Sequence, residues 1–596
     1  MPKTYVLSRN RLCLGTAEDA KHRDGMGRDV TSRVCNNHRE LRIDCPMDIA
    51  SVGWNTWTAS KIGSAHYSVP IDCEELSKLY TSILKWTFSI NIAHRSRHNT
   101  KDVGVAIYHF NHTYIKRIEQ VNSIVHVVSE INRKAIEVAR ERDEERSHGL
   151  AQGSLHGVPI LAKNLLFTTD GLKSTFGCTG LLYAIPSIEA TTIIKLREQG
   201  AIILGANNRC TPGWSAVGGQ CLGVYHKDQH PKGSSSGSAV GTALGLCAAA
   251  LGTETSGSVI LPAQRSAVVG IKPTVGMTSR YGMYISSDCQ DTVGILARSV
   301  KDAALVLTVI AGGEDEQDSI TISDPRDSTF CQKLNKIPDF TKACNSRRLD
   351  GHVDPTTIHL FENALDTMRS LGATIVDPTS YSTFDTDRSS CTGDEYDIAL
   401  KVDIYHNINK TLSYFSTNPH SLHTLSDVIA YTIATPAEEA TKRGLGHFES
   451  ALEVGKKYAR ASEEYRNSMA ERNHMGRQIP KLLDKFNCDM IVLPTNVAVE
   501  PADVGGCPVV SVPMGFYPPE TKIVRQNRMV EVGPGIPLGI SFVGRRWEDE
   551  KLMGVAYAYE QATRWRDKGR MVVRCDVEIC DYGSAGAQND FEPLES

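Results

Sequence analysis

Residues 231–274 read PKGSSSGSAVGTALGLCAAALGTETSGSVILPAQRSAVVGIKPT. This stretch holds two glycine and serine clusters, Gly233–Ser238 and Thr253–Ser258, which a small-residue segment with almost no charge separates. A run with so little side chain lets backbone N–H groups approach a ligand closely. Its hydroxyls are nucleophiles that an adjacent base could activate. The stretch therefore predicts a site made of backbone amides and serine hydroxyls.

Apolar segments alternate with helical patterns on both sides of this stretch. Ile160–Ala162 and Ala201–Gly205 predict buried strands, and Thr191–Gln199 predicts a helix that Gly200 ends. Such alternation is typical of α/β domains with a largely covered sheet. Further predicted strands are Cys247–Gly252, Met490–Thr495, Pro508–Pro513 and Ile540–Gly544, and further helices are Glu130–Ser147 and Asp549–Ala562.

The bulk composition is that of an ordinary globular protein. The net charge is −4 with both signs mixed, which argues against a protein that binds nucleic acid through its charge. No window reaches the length of apolar residues that a membrane span needs, and the N-terminus lacks the pattern of a secretory signal. The 16 cysteines are scattered, as in reduced cytoplasmic proteins. We therefore expect a cytoplasmic protein without a membrane span.

The chain is expected to have one large domain and two flanking pieces. Residues 1–75 show no persistent helix or strand period and predict a loosely ordered extension. Residues 76–568 carry the alternating pattern, and 569–596 form an acidic tail. The sequence leaves a monomer and a homodimer both open.

Lys163 ends the apolar strand Ile160–Ala162 and has two interpretations. A lysine at a strand end often extends to the surface with its stem against apolar residues. If Lys163 were buried instead, desolvation would disfavour its charged form and make it a general base. Taken alone, the first interpretation is favoured.

Two other sites are conceivable and are less favoured. Gly233–Gly237 matches the G-x-S-x-G pattern with Ser235 as nucleophile, but no strand precedes it, as an α/β-hydrolase would require. Cys210, Cys221, His226 and His230 could be metal ligands, but they lack a C-x-x-C pair. No Gly-Lys-Ser/Thr follows the serine cluster, so a phosphate-binding P-loop is not supported either.

Taken together, these pieces resemble the amidase signature family, in particular its fungal and other eukaryotic amidases. The family pattern GGSSGG-S appears as Lys232–Ser238, GTDTGGSIRIPA as Gly252–Ala263, and GxKPT as Gly270–Thr274. Further family segments match His156–Asn164, Cys507–Gly515 and Pro534–Gly544. The resemblance covers about 76–568. It implies the amidase-signature fold, an α/β architecture with a mixed twisted β-sheet covered by helices on both faces.

The resemblance also implies the roles of individual residues. Ser258 would be the nucleophile, Ser234 a proton relay that follows a cis peptide bond, and Lys163 the base. The backbone N–H groups of Thr255, Ser256, Gly257 and Ser258 would bind the substrate's oxyanion, with Ser234 also at the substrate. The implied reaction is hydrolysis of a small-molecule carboxamide through an acyl-enzyme, with no cofactor and no metal.

This sequence departs from the family pattern at several positions. Serine stands at 236 and 256 where glycine is commonest, so strain is expected if either position needs a positive φ. Asn164 replaces an aspartate, Ile260 replaces an arginine, and the pocket-wall pattern around 208–211 is not kept. The segment 342–354 lacks an apolar strand pattern, so we expect a sheet that is one strand short.

Three functions are therefore carried forward from the sequence. The first and favoured one is an amidase. The second is a catalytically impaired homologue that acts as a binding protein, which the departures at Ser256 and Ile260 motivate. The third is an A-type subunit of a glutamine-dependent tRNA amidotransferase, which would need partner subunits.

Overall fold

The structure, a computed structural model, describes Tyr5–Val6, 106–207, 213–323, 343–345, 354–376 and 394–576. The chain separates into two compact units, of which one is Cys13–Thr87 and the other comprises the remaining residues. The unit Cys13–Thr87, and with it nearly all of the predicted extension 1–75, lies outside the described residues. The described strands and helices all belong to the other unit.

Eighteen strands occur within the described residues. They are β1 Tyr5–Val6, β2 Val128–Ile131, β3 Pro159–Lys163, β4 Ile185–Pro186, β5 Ile202–Asn207, β6 Trp214–Ser215, β7 Gly219–Gln220, β8 Ala249–Glu254, β9 Val269–Lys272, β10 Thr292–Ala297, β11 Ala343–Asn345, β12 Ile375–Val376, β13 Phe415–Thr417, β14 Ile491–Pro494, β15 Val509–Phe516, β16 Val524–Gln526, β17 Met529–Val532 and β18 Pro537–Val543.

The helices of the same residues lie mostly between these strands. They are α1 Ile107–Val125, α2 Ala135–Ser147, α3 Thr191–Glu198, α4 Ser236–Leu244, α5 Ile260–Arg265, α6 Val300–Ile310, α7 Pro355–Ser370, α8 Asp394–Leu412, α9 Leu425–Ala434, α10 Ala440–Arg443, α11 Gly446–Lys457, α12 Glu463–Gly476, α13 Gln478–Lys485, α14 Val499–Val504, α15 Asp549–Thr563 and α16 Trp565–Lys568. None of these described helices has the length and apolar character that a membrane crossing requires.

A mixed sheet forms the centre of the fold. Its strand order is β1-β11-β14-β18-β15-β9-β10-β8-β3-β5-β2, with β12 beside β11. The central strand β3 runs parallel to both of its neighbours, β5 and β8. Most other neighbouring pairs are antiparallel, including β8 with β10 and β15 with β18. The mixed sheet that the family resemblance implies is confirmed.

Helices cover both faces of this sheet. Ile160 and Ala162 of β3 belong to one buried apolar cluster, which also takes residues of α3, α6, α7 and α15. Leu161, between them, belongs to a second cluster with residues of α1, α2, α4 and α5. Since successive strand residues point to opposite faces, each face has its own core. The predicted covered sheet is confirmed.

A third apolar cluster joins the end of β3 to a helical layer. Leu165 and Phe167 follow β3 directly and pack with residues of α8, α9 and α11, among them Ile404 and Leu425. The ring of Phe167 lies 5.2 Å from that of Phe415, edge to face, which is a favourable aromatic geometry. The helical layer thus lies directly beside the carboxyl end of the central strand.

The predicted helix Glu130–Ser147 begins too early. The structure has the strand β2 at Val128–Ile131, paired with β5, and the helix α2 starts only at Ala135. The Asn132 side chain accepts a hydrogen bond from the Lys134 N–H at 3.0 Å, and the Asn132 backbone N–H donates to the Leu204 carbonyl oxygen. Tertiary pairing with β5 therefore overrides the helical pattern of Glu130 and Ile131.

The expected loss of a sheet strand within 342–354 is wrong. Ala343–Asn345 form β11, which runs parallel to β14 with Cys344 opposite Ile491. The strand is short, and its Ala-Cys-Asn sequence carries none of the apolar alternation that would reveal it. Pairing with the buried strand β14 stabilises a strand here that the local sequence pattern does not predict.

Candidate functional site

Lys163 lies at the carboxyl end of β3, in the interior of the protein. Every residue of β3 is buried, and Lys163 is 0% exposed. The adjacent parallel strand β8 ends at Glu254, on the same edge of the sheet. Because carboxyl ends of parallel strands meet at one edge, the loop after β8 starts beside Lys163. The surface position that was favoured for this lysine taken alone is wrong.

The Lys163 amine contacts four oxygen atoms. Its Nζ lies 2.8 Å from Ser234 Oγ and 2.9 Å from Ser235 Oγ. It lies 3.1 Å from the carbonyl oxygen of Thr253 and 3.0 Å from the Thr253 hydroxyl. The amine therefore lies at hydrogen-bond distance from two serines of the first Gly/Ser cluster and one threonine of the second.

Ser234 lies in the turn that leads into α4. The peptide bond between Gly233 and Ser234 is cis, as the family resemblance implies. Ser235 is the N-cap residue of α4, and its hydroxyl also donates to the Thr253 carbonyl oxygen at 3.2 Å. Ser234 is 9% exposed whereas Ser235 is 0% exposed. Of the two serines that contact Lys163, Ser234 is therefore the more accessible.

The second cluster supplies Thr255–Ser258, the first four of the five loop residues between β8 and α5. A backbone hydrogen bond of 2.9 Å from the Ser235 N–H to the Ser258 carbonyl oxygen joins this loop to the first cluster. Ser258 is partly exposed. No hydrogen bond between Ser234 Oγ and Ser258 Oγ occurs in the described part of the chain.

The backbone amides of this loop are available to a ligand. Among the residues that the structure describes, none accepts a hydrogen bond from the N–H groups of Thr255, Ser256, Gly257 or Ser258. Successive unpaired N–H groups in a turn form a concave site for anionic oxygen. The loop can therefore hold a negatively charged oxygen beside the Ser258 hydroxyl.

Side chains from two segments brace this loop. Glu254 Oε2 accepts hydrogen bonds from the N–H groups of Val259 at 2.5 Å and Ile260 at 3.0 Å, just after Ser258. Gln290 Nε2 donates to the Thr255 carbonyl oxygen at 3.1 Å. The neighbouring Asp291 is buried, and burial raises its pKa to about 6 although the Thr255 hydroxyl and two backbone N–H groups oppose the shift.

The serines at the two glycine positions do not carry the expected strain. The positive φ of the loop falls on Gly257, at 71°, and neither Ser256 nor Ser236 has a positive φ. Ser236 is the first residue of α4, and its hydroxyl donates to the Lys232 carbonyl oxygen. Both serines therefore occupy conformations that any residue can adopt.

The structure shows the surroundings of two further residues that differ from the family pattern. Ile260, where the family pattern has arginine, is 1% exposed and packs in the apolar cluster that also contains Val259 and Ala263. Asn164 is buried and donates from Nδ2 to the Thr175 hydroxyl at 3.3 Å. The predicted pocket wall at 208–211 lies outside the described residues.

Three of the alternative metal ligands, Cys221, His226 and His230, lie in the described part of the chain and do not form a metal-binding group. Cys221 is fully buried, the His226 ring contacts the Lys227 carbonyl oxygen, and His230 Nδ1 lies 3.1 Å from a Glu531 oxygen. Cys210 lies outside the described residues. Elsewhere, the described residues contain no group of three His, Cys, Asp or Glu side chains that could hold a metal ion.

Sequence reasoning missed Thr253, Glu254, Gln290 and Asp291. Thr253 and Glu254 stand inside the quoted motif, where the polar side chains of GTETSGS are a signal that could have found them. Gln290 and Asp291 stand in a polar loop before β10, and no local pattern connects them to the site. They reach it only through the pairing of β10 with β8.

Comparison with known proteins gives one consistent family. The sequence profile of the family described as Amidase matches residues 111–553. A protein of Arthroderma benhamiae with the name "Putative amidase" is 39% identical over 492 residues, which are 78% of this chain and 81% of that protein. The A-type subunit of the glutamyl-tRNA(Gln) amidotransferase of Thermosynechococcus vestitus is 28% identical over 505 residues, 76% of this chain and 94% of that protein.

A solved structure shows that the similarity includes the three-dimensional fold. The native peptide amidase of Stenotrophomonas maltophilia matches with a TM-score of 0.67 and 28% identity. The match covers 82% of this chain and 99% of that structure.

Proposed function

The chain belongs to the amidase family and is an amide-hydrolysing enzyme, and we propose that it acts through an acyl-enzyme on Ser258. The contact that carries the proposal is the 2.8 Å hydrogen bond between Lys163 Nζ and Ser234 Oγ in a buried site. The backbone hydrogen bond from Ser235 to Ser258 supports it, because it fixes the nucleophile's loop against the relay's loop.

The proposed acylation begins with Lys163 as a neutral amine. Its lone pair accepts the Ser234 proton while Ser234 Oγ accepts the proton of Ser258, so Ser258 Oγ becomes nucleophilic as it attacks the amide carbonyl carbon. The carbonyl π electrons move to oxygen, and the N–H groups of 255–258 bind that oxyanion. Removing one such donor typically lowers the rate about 100- to 1,000-fold.

The same relay then runs in the opposite direction. Lys163 returns its proton through Ser234 to the amide nitrogen, the C–N bond breaks, and ammonia or an amine leaves. Water then gives its proton to the same pair and attacks the carbonyl carbon of the Ser258 ester. The bond from that carbon to Ser258 Oγ breaks, the relayed proton restores the Ser258 hydroxyl, and the acid leaves. The chemistry uses only side chains and backbone amides of this chain, and its substrate is a small-molecule carboxamide.

A fluorophosphonate probe tests the nucleophile. We expect the purified protein to be labelled, and Ser258→Ala to abolish the labelling without loss of the folded circular dichroism spectrum. Ser266→Ala is the matched control, because Ser266 is a buried serine whose hydroxyl has no partner among the described residues. Labelling that survives in Ser258→Ala would refute the proposed nucleophile.

The two alternatives from the sequence remain outcomes of the same experiment. A folded protein that is not labelled and hydrolyses no amide in a panel would support the catalytically impaired homologue that acts as a binding protein. Glutaminase activity that needs added partner subunits would support the amidotransferase, to whose A-type subunit from Thermosynechococcus vestitus this chain is 28% identical.

The cytoplasm is the compartment that we propose for this enzyme. Cys247 and Cys507 are buried free thiols, a use of cysteine that is typical of reducing compartments. Burial raises the pKa of the Cys247 thiol to about 11, so this thiol stays protonated and unreactive at neutral pH.

A further inference from the structure

Glu254 and Asp503 form a buried pair of carboxyl groups beneath the loop 255–258. Each is 1% exposed. Glu254 is the last residue of β8, directly before the loop, and Asp503 lies in α14. Their side chains are close enough to share a hydrogen bond, and the Ser256 hydroxyl lies beside Asp503. The pair therefore contacts the loop that carries Ser258 from the protein's interior.

The hydrogen bonds of the pair are incomplete if both groups are carboxylates. Glu254 Oε2 accepts the N–H groups of Val259 and Ile260. Within the described residues no donor reaches Glu254 Oε1, and with the Ser256 hydroxyl beside Asp503 at least one Asp503 oxygen still lacks a donor. A buried acceptor without a donor is costly, and one shared proton would supply the missing donor.

The electrostatics of the site also favour a proton on Asp503. Burial and the negative charge of Glu254 raise the pKa of Asp503 well above its usual range. The Lys272 cation and the Ser256 hydroxyl oppose this shift in pKa, and Lys272 Nζ also donates a hydrogen bond to the Cys507 carbonyl oxygen at 2.7 Å.

The helices that pack against α14 carry further charges. On α12 these are Glu463, Glu464, Arg466, Glu471 and Arg472, and on α13 they are Lys481, Asp484 and Lys485. The Arg472 guanidinium lies 3.9 Å from Asp397.

We propose that protonated Asp503 is a positioning residue that donates a hydrogen bond to Glu254 Oε1 and so holds the Ser258 loop. With that hydrogen bond in place, Glu254 Oε2 stays aligned with the N–H groups of Val259 and Ile260. The inference rests on the proposed function, since it assumes that this loop binds the oxyanion.

The rate of fluorophosphonate labelling as a function of pH tests this role. In the wild-type protein we expect the rate to fall at alkaline pH, where the pair loses its proton and two carboxylates repel each other beneath the loop. Asp503→Asn should label at a near wild-type rate at neutral pH and lose the alkaline fall, because its amide N–H donates to Glu254 at every pH. Asp503→Ala should label at least about tenfold more slowly throughout, the loss expected when one buried hydrogen bond is removed.

Asp549→Asn is the matched control. Asp549 is an equally buried aspartate, but Thr274 supplies hydrogen bonds to both of its oxygens. This variant should keep the alkaline fall of the wild type. Circular dichroism at each pH distinguishes displacement of the loop from unfolding of the protein. If Asp503→Ala does not fold, the pH profile of Asp503→Asn alone tests the proposal.

Two results would overturn the proposal. One is an alkaline fall in Asp503→Asn that matches the wild type, and the other is wild-type labelling by folded Asp503→Ala. Either result, obtained together with labelling that depends on Ser258, would leave the proposed function standing. Absence of any Ser258-dependent labelling would instead refute the proposed function itself.

Discussion

The N–H of Ser235 donates a 2.9 Å hydrogen bond to the carbonyl oxygen of Ser258. This bond joins the two glycine and serine clusters through their backbones, independently of any side chain. The Ser235 hydroxyl in turn contacts Lys163 Nζ at 2.9 Å. Ser235 therefore contacts both Lys163 and the loop that carries Ser258. Its neighbour Ser234 is the more accessible of the two serines.

Replacing Lys163 by methionine should lower kcat/KM for an amide substrate about 100- to 10,000-fold, the usual contribution of a general base. Methionine keeps much of the side-chain volume, so the loss would reflect the missing amine rather than a cavity. The measurement is single-turnover acylation. The surface variant Lys551→Met, with a side chain that is 45% exposed, is the control. Acylation by Lys163→Met at a near wild-type rate would exclude the lysine as base.

Ser234→Ala and Ser235→Ala should have different effects, although both hydroxyls contact Lys163. We expect Ser234→Ala to lower turnover about 100-fold or more, because it breaks the proton relay. Ser235→Ala should mainly lower the free energy of unfolding, by about 1–3 kcal/mol, because it leaves buried partners without a hydrogen bond. Urea denaturation and kcat measured on both variants separate the two effects. Equal losses of turnover at equal stability would contradict the assignment of Ser234 as relay.

Gly257→Ala should inactivate the enzyme. Gly257 has a φ of 71°, and a Cβ there would lie 2.8 Å from Leu261 Cδ1 and 3.1 Å from Val499 Cγ1. The loop must move to relieve these contacts, and we expect a fall in kcat of about 100-fold or more, as for loss of an oxyanion donor.

Gly149→Ala is the control for Gly257→Ala. Gly149 has a φ of 74° with no atom within 4 Å of an added Cβ. The substitution should cost about 1–2 kcal/mol of stability and leave kcat unchanged. If Gly257→Ala kept full activity, the loop would not bind the oxyanion with its backbone as proposed.

Asp291→Asn should change how stability depends on pH. Burial raises the pKa of Asp291 from 3.8 to about 6. The folded protein therefore binds the proton more tightly than the unfolded chain. The stability that this proton contributes is present below the unfolded pKa and is lost as the pH rises through the folded one.

Urea denaturation across the acidic range up to neutral pH measures this effect. The difference in unfolding free energy, wild type minus Asp291→Asn, should become smaller as the pH rises between about 4 and 6. The Asn side chain keeps an acceptor for the Ser286 N–H that Asp291 binds. A pH-independent difference between the two proteins would contradict the raised pKa.

The sequence was sufficient to predict the sheet and the order of the site segments. The motifs around Lys163, Ser234 and Ser258 are local, and the strands β3, β5 and β8 are largely continuous runs of apolar and small residues. The structure then brings Lys163 and Ser234 together. What could not be predicted depends on pairing between distant segments, which leaves no periodic signal.

Two elements illustrate this limit. Ala343–Asn345 is a strand only because β14 lies beside it, since its own residues are small or polar. Asp503 meets Glu254 only through the packing of α14 beside the loop, and no local sequence pattern connects the two residues. Compensating polar contacts of this kind are fixed by tertiary structure, not by local propensity.

The third apolar cluster has a consequence for chimeric proteins. Leu165 and Phe167 connect the strand that carries the proposed base to helices α8, α9 and α11, which come from a separate and later part of the chain. The residues proposed for bond making and breaking all precede that part. Exchange of the helices 394–457 for those of a relative should therefore leave Lys163, Ser234 and Ser258 in place. A chimera of this kind that keeps the apolar contact should keep this chain's sensitivity to fluorophosphonate.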